Sequence, residues 1–537
     1  MIRAVTRGLA LVLVGLLSLS VWPTRPPPAA ASGAVAPPAT ARGAETRRLR
    51  QVVTSFDGTP LYSTLFLPSG ASGASPVPLV LRSHGWGGHG EREVTAGSTL
   101  ERLLVDGYAV LTWDARGFGY SGGVVHLDKP EAEGRDVSAL LDWVITTRPE
   151  IALEAPGDPI VGWTGRSYGG AVQFATSGFD PRIDAIAPEI TWYDLRYSFY
   201  SGRVINAGWG YYFYLNGTAA ADFEGLDPRN PAGPQAGGLH PALHRAEVEG
   251  LAANRLSQAT LDFFGRSSLA VYGRDNPVRI PTLVMQGSVD TLFDLSEGNA
   301  IFQHVRAGGA PAKLVVFCGG HVLCPASYEV LDDRAHLDDA ILDWFARYLR
   351  GWEVDTGAPV EYRTNEGGWR AADDFPPPDT SLHTTSAAGR LLVTPLPTSG
   401  LAPSGLPLTI ATPSPPGDPH TLTLEVAVAE DGPLELVGIP TARLRVSGVG
   451  TAAHLFLKLV DREAGEVVNL QETPLLVAPL SHAPRTFGLD LSGIAYSPTA
   501  GHHLDLQVAT TSLMHANART LGWVQLEVDI AVPARSR

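Results

Sequence analysis

Residues 165–170 read Gly165-Arg166-Ser167-Tyr168-Gly169-Gly170, directly after the short apolar stretch Ile160 to Trp163 and before a helical pattern that begins near Tyr168. A G-x-S-x-G run recurs by chance, but between a strand and a helix it has a physical meaning. The chain must turn sharply there, which forces unusual backbone angles on Ser167 and crowds its neighbours. Only small residues fit on either side, and Gly169-Gly170 lets the new helix lie close to the sheet. The turn lifts the Ser167 hydroxyl clear of the backbone at the positive end of a helix dipole.

The surrounding pattern sets this turn in a mostly parallel sheet. Apolar strands read at Val77 to Ser83, Tyr108 to Trp113, Ile160 to Trp163, Ala185 to Ile190, Thr282 to Gln286 and Leu314 to Phe317. Helices fall between them, at Leu100 to Leu104, Val137 to Ile145 and, at the end, Leu331 to Leu349 with an apolar stripe of Leu337, Ile341, Trp344, Phe345 and Tyr348. Strands that alternate with helices of this length predict a sheet covered on both faces. A hairpin over Gln51 to Leu67, turning at Asp57-Gly58, precedes it. The fold class is α/β, an α/β-hydrolase fold over 47–350, with a helical cap insertion over 191–279 where the alternation breaks. The cap is dense in aromatics from Trp192 to Tyr214; these rings read equally well as a small helical core and as walls of an apolar substrate pocket.

After Trp352 helical periodicity stops. Period-2 segments follow at Leu422 to Val428, Thr441 to Val446, Leu455 to Leu459, Leu504 to Val508 and Trp523 to Val528, separated by Pro- and Gly-rich turns. They predict an all-β sandwich or jelly-roll domain over 376–535, joined through a linker at 351–375. At the other end, Arg3 and Arg7 precede an apolar run from Gly8 to Val21, and Ala29-Ala30-Ala31 offers a cleavage site. That is a signal peptide over 1–31, with an uncleaved anchor as the alternative, followed by a disordered linker over 32–46. The expected location is extracellular, with no stable membrane association after cleavage. The formal net charge of −15 argues against a nucleic-acid partner.

A serine hydroxyl needs a base, and in this fold the acid and then the histidine follow the serine. Asp290 lies just past the strand ending at Gln286-Gly287, and His321 just past the next strand. Both loops open on the sheet edge that holds the Ser167 turn. Asp294 is the rival acid, and His84, His304 and His336 are the rival bases. Two backbone donors are needed for the developing oxyanion: the Tyr168 N–H, and the Trp86 N–H in the loop His84-Gly85-Trp86-Gly87-Gly88. The Asp114 to Ser121 turn at the same edge reads as loop-structuring. The only cysteines, Cys318 and Cys324, flank His321. With His321 they make a partial zinc set lacking a fourth ligand, so a disulfide is favoured.

The HGWGG loop, the DARGFGYSGG turn, the GRSYGG elbow and the order Ser167, Asp290, His321 resemble the Xaa-Pro dipeptidyl-peptidase family in its broad sense, which includes cocaine-esterase-type acyl esterases. So do Gly438 to Val446, Leu457 to Asp461 and Ala500 to Leu504 in the C-terminal half. The resemblance implies acyl transfer through an acyl-serine intermediate, on a small ester or peptide substrate, with no metal or organic cofactor. The chain starts directly with the hydrolase domain, unlike the dipeptidyl-peptidases proper. Those must also bind a substrate ammonium; Glu189, Asp194 and Glu224 are the candidates here. Acyl esterase without peptidase activity is the alternative, and a carbohydrate- or surface-binding protein with a degenerate hydrolase domain is a third reading.

Overall fold

The computed structural model describes residues 46–328, 333–396, 413, 421–428 and 434–536. The signal-peptide expectation for 1–31 and nearly all of the 32–46 linker lie outside them.

The sheet order follows from which strands are apolar on both faces. The hairpin strands β1 (Arg47–Thr54) and β2 (Pro60–Leu67) pair antiparallel, and Gly58 turns between them at φ +87°. Then come β3 (Leu79–Ser83), helix α1 (Thr99–Val105), β4 (Ala109–Trp113), α2 (Arg135–Thr147), β5 (Val161–Arg166), α3 (Tyr168–Ser177) and β6 (Ala185–Glu189). After the cap the alternation resumes with β7 (Thr282–Gly287), α9 (Leu295–Ala307), β8 (Ala312–Phe317) and α10 (Asp333–Arg350). Between β6 and β7 the cap supplies five further helices: α4 (Leu195–Tyr200), α5 (Ala207–Phe223), α6 (Pro241–Ala253), α7 (Gln258–Arg266) and α8 (Leu269–Tyr272).

The central strands β4, β6 and β7 are buried along their whole length, as a sheet sandwiched between helices requires. On one face Val137, Leu140, Leu141 and Val144 of α2 and Ile301, Phe302 and Val305 of α9 pack together with Leu79, Leu111 and Val284. On the other, Leu100 and Leu103 of α1 meet Leu337, Ile341, Trp344 and Phe345 of α10.

The expected linker at 351–375 is partly strand. Val360–Tyr362 (β9) adds parallel to β8, and Arg370–Ala372 (β10) adds antiparallel to β9. The sheet order among the described residues is β1-β2-β4-β3-β5-β6-β7-β8-β9-β10. Three-residue strands are too short to show periodicity. Their burial, with Val360 and Tyr362 both at 0% exposure, comes from neighbours distant in sequence.

The C-terminal part is two facing antiparallel sheets. One is built on β21 (Gly522–Ser536), which pairs with β11 (Ser381–Val393), β13 (Leu434–Gly438) and β14 (Thr441–Val449). The other is built on β15 (Ala453–Asp461), paired with β20 (His503–Ala509). Leu444, Val446, Val524, Leu526 and Val528 face Leu455, Leu457, Leu504 and Leu506 in a shared core. Strand β11 is one the sequence pattern missed. Its residues alternate between exposed and half-buried for most of its length.

This β domain is bonded to the α/β part beside the loop that follows β7. Gln471 Nε2 donates to the Asp290 carbonyl at 3.0 Å, and Gly493 N–H donates to Ser296 Oγ at 2.9 Å. The segment around 514–519 docks on the cap: Gly208 N–H donates to the Met514 carbonyl and Ala516 N–H to the Ile205 carbonyl, both at 2.9 Å.

Candidate active site

Ser167 stands between β5 and α3 with φ 56° and ψ −118°, a strained setting for a residue with a Cβ. Its N–H donates to the Glu189 carbonyl at 2.8 Å, and its carbonyl accepts from Thr191 Oγ1 at 2.9 Å. The flanking glycines are required by crowding. A Cβ at Gly165 would meet Ser83 Oγ and stand 2.6 Å from the Gly169 carbonyl oxygen; one at Gly169 would stand 2.6 Å from the Ser83 carbonyl oxygen.

The three residues that the sequence scatters over 155 positions meet here. His321 Nε2 lies 2.7 Å from Ser167 Oγ, and His321 Nδ1 lies 2.7 Å from Asp290 Oδ2. Asp290 is fully buried, and each oxygen is occupied. Oδ2 also accepts the His321 N–H at 3.1 Å, while Oδ1 accepts from Leu292 and Phe293 N–H at 2.9 and 3.1 Å. The tight fit of the two loops explains Gly320, whose φ of +137° suits glycine and whose Cβ would lie 2.5 Å from the Asp290 Cβ. Cys318 and Cys324 are bonded to each other and close the short loop that carries His321, so neither sulfur is a thiolate ligand for a metal.

The rival residues are engaged elsewhere. Asp294 caps α9 by accepting from Ser296 and Glu297 N–H, and takes the Tyr197 hydroxyl at 2.7 Å. His84 Nε2 accepts the Ala115 N–H at 2.9 Å, and His336 pairs with Glu361 at 3.0 Å. His304 lies against Tyr193 on α9. In the turn at 114–121, Asp114 accepts from Gly90 and Tyr120 N–H, and Arg116 pairs with Asp136.

Two of the three ammonium candidates are also committed. Glu189 is buried between Arg166 and Arg334, both at 2.8 Å, and their charges hold its carboxyl below the usual range despite burial. Asp194 caps α4 and binds Arg196. Glu224 begins a short turn after α5, away from the residues lining the Ser167 chamber.

That chamber has a volume of about 440 Å³. Ser167, Trp86 and Tyr168 lie on its wall, with Trp192, Phe199, Phe213, Phe264 and Phe293 beside them. Phe293, Trp209 and Phe213 stand edge-on to the His321 ring at 5.1, 5.8 and 6.3 Å between centroids. The cap aromatics thus do both things their sequence allowed: Trp209 is 2% exposed and packs as core, while Phe213 and Tyr214 border the chamber. Its far wall includes Leu513, Ala516 and Arg519 of the β domain, which no sequence signal marked. The charged lining residues are Glu247 and Arg519.

Trp86 and Tyr168 pack their rings together at 5.5 Å, and Trp86 Nε1 donates to the Phe213 carbonyl on α5 at 3.0 Å. The cap therefore helps hold the loop that carries the expected second oxyanion donor.

A parallel sheet with a serine on a strained strand-to-helix turn, and a C-terminal all-β domain leaning on its catalytic edge, defines an α/β-hydrolase-type serine hydrolase, a peptidase or esterase. Residues 57–323 match the X-Pro dipeptidyl-peptidase (S15 family) model, and residues 352–522 match the X-Pro dipeptidyl-peptidase C-terminal non-catalytic domain. The chain belongs to the X-Pro dipeptidyl-peptidase family in the broad sense that includes CocE-like hydrolases. Among solved structures it resembles an aminopeptidase from a marine sediment archaeon, Thaumarchaeota archaeon (16% identity, TM-score 0.72, covering 94% of this chain and 99% of that one). It also resembles an α-amino acid ester hydrolase (17%, 0.67, 93% and 98%) and a CocE/NonD family hydrolase from Staphylococcus aureus (14%, 0.63, 93% and 99%). At these identities the likeness is one of fold. No curated protein sequence matches the chain.

Proposed function

We propose that this enzyme cleaves esters of neutral, apolar acyl groups through an acyl-serine intermediate, with Ser167 as nucleophile, His321 as general base and Asp290 orienting it. His321 Nε2 takes the Ser167 proton as Oγ attacks the acyl carbon, and Nδ1–H stays on Asp290. The carbonyl electrons move onto oxygen, where the Trp86 and Tyr168 N–H groups receive the charge. Collapse expels the alcohol, which takes the proton from His321. Water then repeats the sequence and frees the acid.

The observation that carries the acyl preference is the chamber wall. A substrate ammonium beside the scissile bond needs free buried carboxylates, and Glu189, Asp194, Asp290 and Asp294 are all bonded to other partners. One observation favours a second reading. Glu247 on α6 lines the chamber without an ion-pair partner among the described residues, and burial pushes its carboxyl up. A substrate with a distant amine would find its counter-ion there.

The proposal includes export by the 1–31 segment and the division into a hydrolase unit from 47 and a β unit from 376. The experiment is a set of neutral acyl esters of increasing chain length and an aromatic acyl ester, beside an Xaa-Pro dipeptide amide, with Ser167→Ala as control. Neutral esters cleaved with kcat/KM rising with acyl size are the expected result. Preference for the free-amine dipeptide, lost on acylating its N-terminus and in Glu247→Gln, replaces it with the second reading. Turnover by Ser167→Ala refutes both.

A further inference from the structure

Behind Tyr168, on the side away from the chamber, lies a cluster of acids for which the acyl-transfer steps have no use. Asp128 and Glu133 are each 2% exposed. They border, with His84, Asp136 and Tyr168, a cavity of about 10 Å³, the size of a single water. Both Asp128 oxygens are buried with no hydrogen-bond partner of normal geometry among the described residues. Leu127 and Asp128 hold this position at φ 62° and 54°, two successive strained residues. Glu133 accepts the His126 and Lys129 N–H groups at 2.6 and 3.1 Å, which fixes its place. The Tyr168 hydroxyl reaches Glu133 Oε1 at 3.3 Å and also interacts with Asp128.

Two buried carboxyls facing one phenol cannot both carry charge cheaply, since like charges in a low-dielectric setting raise one or both pKa values. We propose that Asp128 and Glu133 are an acid pair that retains a shared proton and positions Tyr168, and through it the backbone N–H that receives the oxyanion. The inference rests on the reading of Ser167 as nucleophile. With a proton retained, the phenol has one ionised partner at most. When the last exchangeable proton leaves to solvent, a second negative charge appears behind the N-terminus of α3, opposing the negative charge that forms on the substrate oxygen in front of it.

Burial pushes the Glu133 carboxyl up to about 7 and Asp128 well above the usual carboxylate range. The other charged and titratable groups that face the pair are few. Asp136, one turn on, is neutralised by Arg116 at 2.6 Å, which also attracts Glu133 from a distance. Lys129 sits over the Phe263 ring at 4.3 Å. His126 and His84 are both held toward the neutral form by burial. Tyr272 of α8 feels the Asp128 charge and, like Tyr168, stays protonated.

The test is the pH profile of kcat on a neutral ester for the whole protein, Glu133→Gln and Tyr168→Phe, from about pH 5 to about pH 9. The parent enzyme is expected to lose kcat on the alkaline side as the pair gives up its last proton. Glu133→Gln loses that alkaline fall whatever its plateau, because a neutral amide cannot add the second charge. Tyr168→Phe keeps the ring packing and weakens the fall by cutting the link. An infrared carboxylic-acid band present at low pH, bleached as pH rises, and reduced in Glu133→Gln, where Asp128 alone can hold the proton, reads the same proton without turnover. It also covers the case in which that variant folds poorly. Parallel profiles, with each variant lowered by one factor at every pH, reduce the pair to a packing role and overturn the proposal. Activity in Ser167→Ala would instead strike at the reading of the site and leave the infrared result standing.

Discussion

Gly217, on the cap helix α5, is where a single methyl group is expected to disable the loop proposed to carry the second oxyanion donor without touching Ser167, Asp290 or His321. A Cβ there would meet Trp86 Cζ2 and stand 2.6 Å from its Cε2 and Nε1. Apolar contacts settle at about 3.5–4.0 Å, so the indole must retreat by roughly 1 Å. Phe118, Tyr168 and Phe213 crowd it at 5.2, 5.5 and 6.4 Å between centroids, so the way left open is into the chamber. Its Nε1 bond to the Phe213 carbonyl also breaks. A displacement of about 1 Å at a reacting geometry costs on the order of 100-fold in rate, or about 2.7 kcal/mol of transition-state stabilisation. Overpacking costs about 1–3 kcal/mol of stability, offset by about 1 kcal/mol from replacing a helical glycine with alanine. Gly217→Ala should therefore fold, melt within a few degrees of the parent, and lose about two orders of magnitude in kcat on a short neutral ester. Steady-state kinetics beside urea unfolding measures both. A folded variant with kcat within about threefold of the parent would refute the claim that the cap holds Trp86 in a productive position.

Further outcomes follow from the same geometry. Asp290→Asn should lower kcat by about 10⁴ with little change in KM, because the amide offers the wrong partner to His321 Nδ1; a loss under tenfold would point to another acid. Replacing both Cys318 and Cys324 by serine releases a loop of five intervening residues. The chain-entropy account assigns this roughly 2 kcal/mol, to be read from urea midpoints with and without reductant. Gln471→Ala should cost about 1–2 kcal/mol and lower kcat, since it leaves the buried Asp290 carbonyl without its donor from the β domain. Stability should also respond to Glu133. A carboxyl raised from 4.5 to about 7 stabilises the fold fully below the unfolded value, and that contribution is lost as pH rises through about 7. That difference corresponds to on the order of 3 kcal/mol. Denaturant titrations at several pH values should show a slope that Glu133→Gln flattens.

Local signals made much of this molecule legible in one dimension. The Gly165 to Gly170 turn combines a strand, a sharp bend and a helix within a few residues, and each part is dictated by neighbours in the chain. The sheet strands read as continuous apolar runs because both their faces are covered, and the loops holding Asp290 and His321 follow from strand order alone. Other features have no local cause. Strands β9 and β10 are too short to show a period, and β11 shows its alternation only against β21. The role of Glu189 depends on Arg166 beside it and Arg334 from far along the chain.

The sequence by itself determined the fold class, the serine turn, the order of the three candidate residues and the pairing of two cysteines in a short loop. Each of these is a matter of residue type at close spacing. Tertiary structure alone decided that Asp294 caps a helix while Asp290 meets His321, and that the β domain reaches into the chamber with Leu513 to Arg519. It also decided that aromatic and aliphatic side chains form most of the chamber wall, with Glu247 and Arg519 the charged groups on it, and that Asp128 and Glu133 converge on Tyr168. The physical reason is common to all four. Burial, charge pairing and like-charge crowding act between groups close in space, and only the folded chain sets those distances.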